Sequence, residues 1–98
     1  MKVYISGKIT GLEYHQAYKI FEDAEKEVRD MGGVPVNPMK LEHKPNADWY
    51  DFMEVDFSAL LRCEGIYMLE NWGNSKGARC EYALAKELDL KIVFQTKI

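Results

Sequence analysis

The chain has 98 residues, 47% of them hydrophobic and 30% charged, and a formal net charge of -3. Residues 1–98 are expected to form one domain around one modest core, with six Tyr, four Phe and two Trp supplying the interior, rather than two domains or a disordered chain. Non-specific binding to nucleic acid rests on clustered Lys and Arg that displace counterions, so an acidic chain argues against a nucleic acid polymer as partner.

No run of residues approaches the roughly 18 apolar positions needed to span a bilayer, and the opening Met1–Gly7 stretch is too short for a secretory signal. No membrane partner is expected, and a cytoplasmic location is. Cys63 and Cys80 show neither a CxxC spacing nor a neighbouring His cluster, so no metal site and no cofactor are expected; both read as buried thiols within helices.

Lys2 to Ser6 is rich in β-formers and ends at Gly7, where a turn can begin, which predicts a first strand. From Leu12 to Met31, Tyr14, Ala17, Tyr18, Phe21, Ala24, Glu25 and Val28 recur at three- and four-residue steps between charged residues, the pattern of an amphipathic helix. Gly32 and Gly33 end it by supplying positive-φ positions, and Val34 to Val36 forms a short second strand that stops at Asn37-Pro38. Residues 37–47 carry Pro and Asn without periodicity and read as a surface loop leading to Asp48 as helix N-cap. Loops of that length are often functional.

The next helix sets Trp49, Phe52, Met53, Leu60 and Cys63 on one face, and the strand Gly65 to Leu69 follows. A polar, glycine-bearing loop from Glu70 to Gly77 then precedes a third helix, Lys76 to Leu88, with Ala78, Tyr82, Ala85 and Leu88 inward. Lys91 to Phe94 is the last strand. Strands alternating with helices predict an α/β fold, because each connection between parallel strands must cross a face of the sheet. The expected form is a small flavodoxin-like or Rossmann-like three-layer sandwich with four parallel strands in the order 2-1-3-4.

In such sheets ligands bind beyond the carboxyl ends of the strands, where connections diverge. That places function in the turn after strand one (Ser6, Gly7, Lys8), the loop from Asn37, and the loop before the third helix. Ser75 is positioned to cap that helix, and the free amides of Lys76, Gly77 and Ala78 are candidate anion donors, although a cap alone explains the serine. Glu81 falls at the border of the buried stripe, where it either points into the crevice or sits in solvent near the positive helix end. Asp56 lies among Phe52, Met53 and Leu60, and a carboxylate there needs a partner, Arg62 or Arg79, or a function. Tyr4 alternates with Val3 and Ile5, a core position by default.

Val3-Tyr4-Ile5-Ser6-Gly7, Val55-Asp56, Cys63-Glu64-Gly65-Ile66 and the run Ser75-Lys76-Gly77-Ala78-Arg79-Cys80-Glu81-Tyr82-Ala83-Leu84-Ala85 together form a recognisable pattern. It resembles the nucleoside 2-deoxyribosyltransferase superfamily, particularly its short members, over nearly the whole chain. The S-x-G-x-x-x-E element, Ser75 to Glu81, is its most specific part. The resemblance implies that Glu81 attacks the anomeric carbon and that Ser75 and Gly77 lie near the sugar or phosphate. It further implies that Asp56 positions or protonates the base and that Tyr4 orients the nucleophile. Lys8, Lys76 and Arg79 would suit a 5′-phosphate. The implied partner is a nucleoside or nucleotide; a four-stranded sheet in so short a chain leaves helix faces only partly covered, which predicts a homodimer or larger homo-oligomer. A nucleotide-binding module without turnover and a plain interaction domain are the alternatives.

Overall fold

The computed structural model describes residues 1–96. Its elements alternate as the periodicity requires: β1 (Lys2–Ser6), α1 (Tyr14–Asp30), β2 (Val34–Val36), α2 (Trp49–Leu61), β3 (Gly65–Met68), α3 (Lys76–Glu87) and β4 (Lys91–Phe94). Short 3-10 turns, Pro38–Lys40 and Trp72–Asn74, follow β2 and precede α3. All strand pairs are parallel and the order is β2-β1-β3-β4, as expected from the sequence. In the middle of the sheet Val3 stands between Pro35 and Gly65, so β1 is paired on both sides.

The pleat of β1 sorts its side chains between two cores, since successive strand residues point to opposite faces. Val3 and Ile5 join Phe21, Ala24 and Val28 of α1 on one face, with Tyr67 and Leu69 beside them. Tyr4 joins Leu60, Ile66, Met68, Ala78 and Ala85 on the face covered by α2 and α3. Fully burying a side chain such as Phe21 contributes about 2–3 kcal/mol, and both faces of the central strands are closed in this way.

Several boundaries and faces differ from expectation for identifiable reasons. α1 begins at Tyr14 rather than Leu12, because the Glu13 carboxylate accepts a hydrogen bond from the His15 amide at 2.7 Å and so caps the helix there. Tyr14 consequently lies on the first turn, 62% exposed, instead of in the core. Only Gly32 of the glycine pair has positive φ, +87°; at Gly33 a Cβ would come within 3.0 Å of the Val3 side chain and 3.1 Å of Val28, so that glycine provides room rather than rotation. Leu88 is the exposed C-cap of α3, and Phe52 is exposed because it packs on His43 from the loop rather than on the sheet. Cys63 is buried just past α2, its Sγ donating to the Ala59 carbonyl at 3.4 Å, while Cys80 is half-buried in α3.

The turn after β1 is built tightly. A Cβ on Gly7 would lie 2.7 Å from Leu69 Cδ1 and 3.0 Å from Asn71 Oδ1, the same oxygen that accepts the Lys8 amide at 2.9 Å. Gly7→Ala is therefore expected to cost about 1–3 kcal/mol by overpacking, read as a lower midpoint in urea unfolding. An unchanged midpoint would mean that Leu69 and Asn71 move aside freely.

Candidate active site

Glu81 stands on the second turn of α3, facing the sheet, and is only 5% exposed. Directly beneath it on β1, two residues apart and hence on one side of the pleat, are Tyr4 and Ser6. The Tyr4 hydroxyl donates to Glu81 Oε2 at 2.8 Å and the Ser6 hydroxyl to Oε1 at 2.7 Å. Each carboxylate oxygen thus has its own donor, which fixes the plane of the group.

Burial pushes the Glu81 carboxyl up to about 7, and the negative Asp56 adds to this, while the two hydroxyls pull the other way. Burial also raises the Tyr4 phenol well above its ordinary value, with Glu81 and Asp56 contributing, so Tyr4 stays protonated and remains a donor. Asp56, on α2, is buried as well. Desolvation raises its carboxyl and the neighbouring His43 opposes the rise. His43 Nε2 lies 3.2 Å from Asp56 Oδ1. The arginines expected from the sequence do not fill that role: Arg79 donates to the Gly73 carbonyl at 2.8 Å, and Arg62 is the exposed C-cap of α2.

Tyr4, Asp56 and Glu81 share one cavity of about 670 Å³. Gly7 is on its wall, and Ser75, Lys76 and Gly77 bring the start of α3 to it. Ser75 Oγ accepts the Ala78 amide at 3.1 Å, so the cap expected from the sequence exists and leaves the Lys76 and Gly77 amides as the open donors of the first turn. Tyr14, Trp49 and Phe52, with Met39 and Met53, make the remaining wall largely apolar and aromatic. The Lys76 ammonium lies over the Trp49 ring, 4.7 Å from its centroid, which ties the starts of α2 and α3 together.

Three residues expected at the crevice stand off the cavity wall. Ser6 lies behind Glu81 and is committed to it. Lys8 is held through its backbone by Asn71. Asn37 is buried, with Nδ2 donating to Glu25 Oε2 at 2.8 Å and Oδ1 accepting the Met39 amide at 2.9 Å. Its partner Glu25 is drawn inside by those bonds and by Lys40 at 2.9 Å, so the amide serves the junction between α1 and β2. His43 is the site residue that periodicity could not reveal; the available signal was a single imidazole in the loop after the second strand. Among the described residues no group of three or more His, Cys, Asp or Glu side chains is placed to hold a metal ion.

Comparison with curated proteins finds no match. A solved structure from the psychrotolerant bacterium Bacillus psychrosaccharolyticus, described as a 2-deoxyribosyltransferase, superposes with a TM-score of 0.71 at 15% identity, covering 100% of this chain and 76% of the other. That likeness is one of fold. A family model, described as a domain of unknown function, DUF4406, matches residues 1–94. The chain therefore belongs to the DUF4406 family, built on an α/β sandwich that it shares with the protein described as a 2-deoxyribosyltransferase.

Proposed function

We propose that the protein breaks the N-glycosidic bond of a 2′-deoxynucleoside or its 5′-monophosphate, with Glu81 as nucleophile, and passes the sugar to a second base or to water. The observation that carries this reading is the Glu81 carboxylate itself: buried, clamped by two hydroxyls, and placed in a cavity that also holds a second buried acid. Displacing a base through an oxocarbenium-like transition state requires one carboxylate to attack the anomeric carbon and one acid to protonate the leaving group. Glu81 and Asp56 are the pair available. The aromatic wall suits a flat base, and the open amides of Lys76 and Gly77 suit a 5′-phosphate at a helix N-terminus. The fold shared with a protein described as a 2-deoxyribosyltransferase supports the same substrate class.

Chromatographic screening of the natural deoxynucleosides and their 5′-monophosphates, with and without an acceptor base, is expected to show released or exchanged base. Glu81→Ala should lower the rate by on the order of a thousandfold or more. Saturable binding with no base release would identify a recognition module instead, and full activity in Glu81→Ala would reject the nucleophile.

Attack and leaving-group protonation together need one proton on the Glu81 and Asp56 pair. With the Glu81 carboxyl near 7, the last proton leaves the pair around that pH, so kcat/KM for ordinary deoxynucleosides should fall above about pH 7. A 7-methylated purine deoxynucleoside carries a cationic base that departs without protonation. It needs only the Glu81 carboxylate, and its rate should rise through the same pH. Parallel profiles for the two substrates would contradict the division of roles.

Stability supplies an independent check. The folded carboxyl of Glu81 lies near 7 against an ordinary 4.5, so the folded state holds the proton more tightly than the unfolded chain. Its contribution is fully present below 4.5 and is lost as pH rises through 7, about 3 kcal/mol in all. Glu81→Gln should therefore gain about that much on wild type between acidic and alkaline pH in denaturant titrations. A difference between the two proteins that does not change with pH would show that Glu81 ionises normally in the fold.

A further inference from the structure

His43 comes from the stretch between the Pro38–Lys40 turn and α2, outside any helix or strand, yet its side chain is only 14% exposed. Two contacts one helical turn apart on α2 hold it. Its ring packs on Phe52 with centroids 4.4 Å apart, and its Nε2 reaches Asp56 Oδ1 at 3.2 Å. The next residue, Lys44, pairs with Asp51 at 3.2 Å, and Asp48 and Asp51 close a capping box at the start of the same helix. The imidazole is thus clamped against α2. Among the described residues Asp56 Oδ1 is bonded to His43, no fully buried side-chain oxygen or nitrogen lacks a partner, and Asp56 lines the cavity. Oδ2 is the oxygen left to meet a ligand.

A carboxylic acid can carry its proton on either oxygen, and here Oδ1 is the one held by His43. We propose that His43 is a positioning residue for Asp56: its Nε2–H donates to Oδ1, which makes Oδ1 the acceptor and assigns the acid's proton to Oδ2, where the departing base collects it. This assignment rests on the glycosidic reading of the site. As the bond between C1′ and the base nitrogen breaks, its electron pair stays on the base and the base takes the proton from Oδ2, while a Glu81 oxygen bonds to C1′. Asp56 is left as a carboxylate, and the hydrogen bond from Nε2–H becomes charge-assisted and stronger. The contact therefore favours the transition state over the ground state. In the second half-reaction water or the acceptor base attacks C1′, the bond to Glu81 breaks with its electron pair returning to the carboxylate, and Asp56 receives the attacker's proton.

Three variants of the full chain test this, with folding checked by circular dichroism. His43→Ala removes ring and donor. His43→Phe keeps a ring to stack on Phe52 and removes only the donor. His43→Gln retains a donor in the place of Nε2 without an ionisable ring. For ordinary deoxynucleosides, Ala and Phe are expected to lower kcat about 10- to 100-fold with KM little changed, as for a misplaced catalytic group. Gln should restore most of the loss. The 7-methylated purine deoxynucleoside, which needs no acid, should lose little in any variant. Equal losses on both kinds of substrate would reduce His43 to a packing role and overturn the proposal, as would unchanged kcat in His43→Phe. A Gln variant as impaired as Ala would overturn it too, by showing that the imidazole must itself carry a proton. If wild type releases no base at all, the Glu81 reading falls and this one with it; if wild type is active and the His43 variants are indifferent, only the His43 assignment falls.

Discussion

The site depends on one buried carboxylate and the two hydroxyls that hold it. Removing Glu81 from water is unfavourable, and the molecule tolerates it because Tyr4 and Ser6 each donate to one of its oxygens. Those donors are two residues apart on β1, which is paired on both sides. Their placement therefore follows from the parallel order β2-β1-β3-β4, which puts β1 inside the sheet and α3 across it. The same burial that makes the carboxylate costly lifts its proton affinity to about 7. Stability is spent on a group whose use lies elsewhere, which is how strained functional sites persist in otherwise consistent folds.

Asp56 is a second case of the same kind with a different solution. It lies beside hydrophobic positions of α2, and its partner comes not from a neighbouring strand but from a loop that folds back over the helix. The negative Asp56 raises the cost of ionising Glu81, and their surroundings differ: Glu81 is met by neutral donors, Asp56 by an imidazole. Different surroundings give the two acids different affinities for a proton.

Much of this architecture is legible in the sequence. The layer structure follows from the alternation of strand-like and helix-like periodicity, because a helix between parallel strands must cross a face of the sheet, and the order 2-1-3-4 expected for that alternation is the one found. Asp56 stands out as a carboxylate among the apolar positions of its helix, whereas Glu81 at a stripe border and Tyr4 at a core position are singled out by the family resemblance and not by the period. What escaped were matters of polar satisfaction. Asn37 stands at the end of a strand, where crevice residues are expected, but its amide is consumed by the buried Glu25. Asp56 found an imidazole rather than a guanidinium. Loop residues carry no period, so their partners are settled by three-dimensional proximity alone, and His43 gave no signal beyond its chemistry. The shortened start of α1 has a similar origin, a single side-chain cap at Glu13 that outweighs the hydrophobic pattern.

The cavity is made of two kinds of material. Its floor, Tyr4 with Ser6 behind Glu81, belongs to the central strand and the helix packed on it, so nothing there can shift without opening the sheet. Its roof, from Tyr14 and Trp49 to Phe52 and His43, comes from helix starts and a loop, several of them exposed. Substitutions at Tyr14 or Trp49 can reshape the cavity while leaving Glu81 and its two donors where they are, whereas the floor admits almost no variation. A lineage built on this plan is free to diversify the mouth of its cavity while the clamp on Glu81 stays fixed.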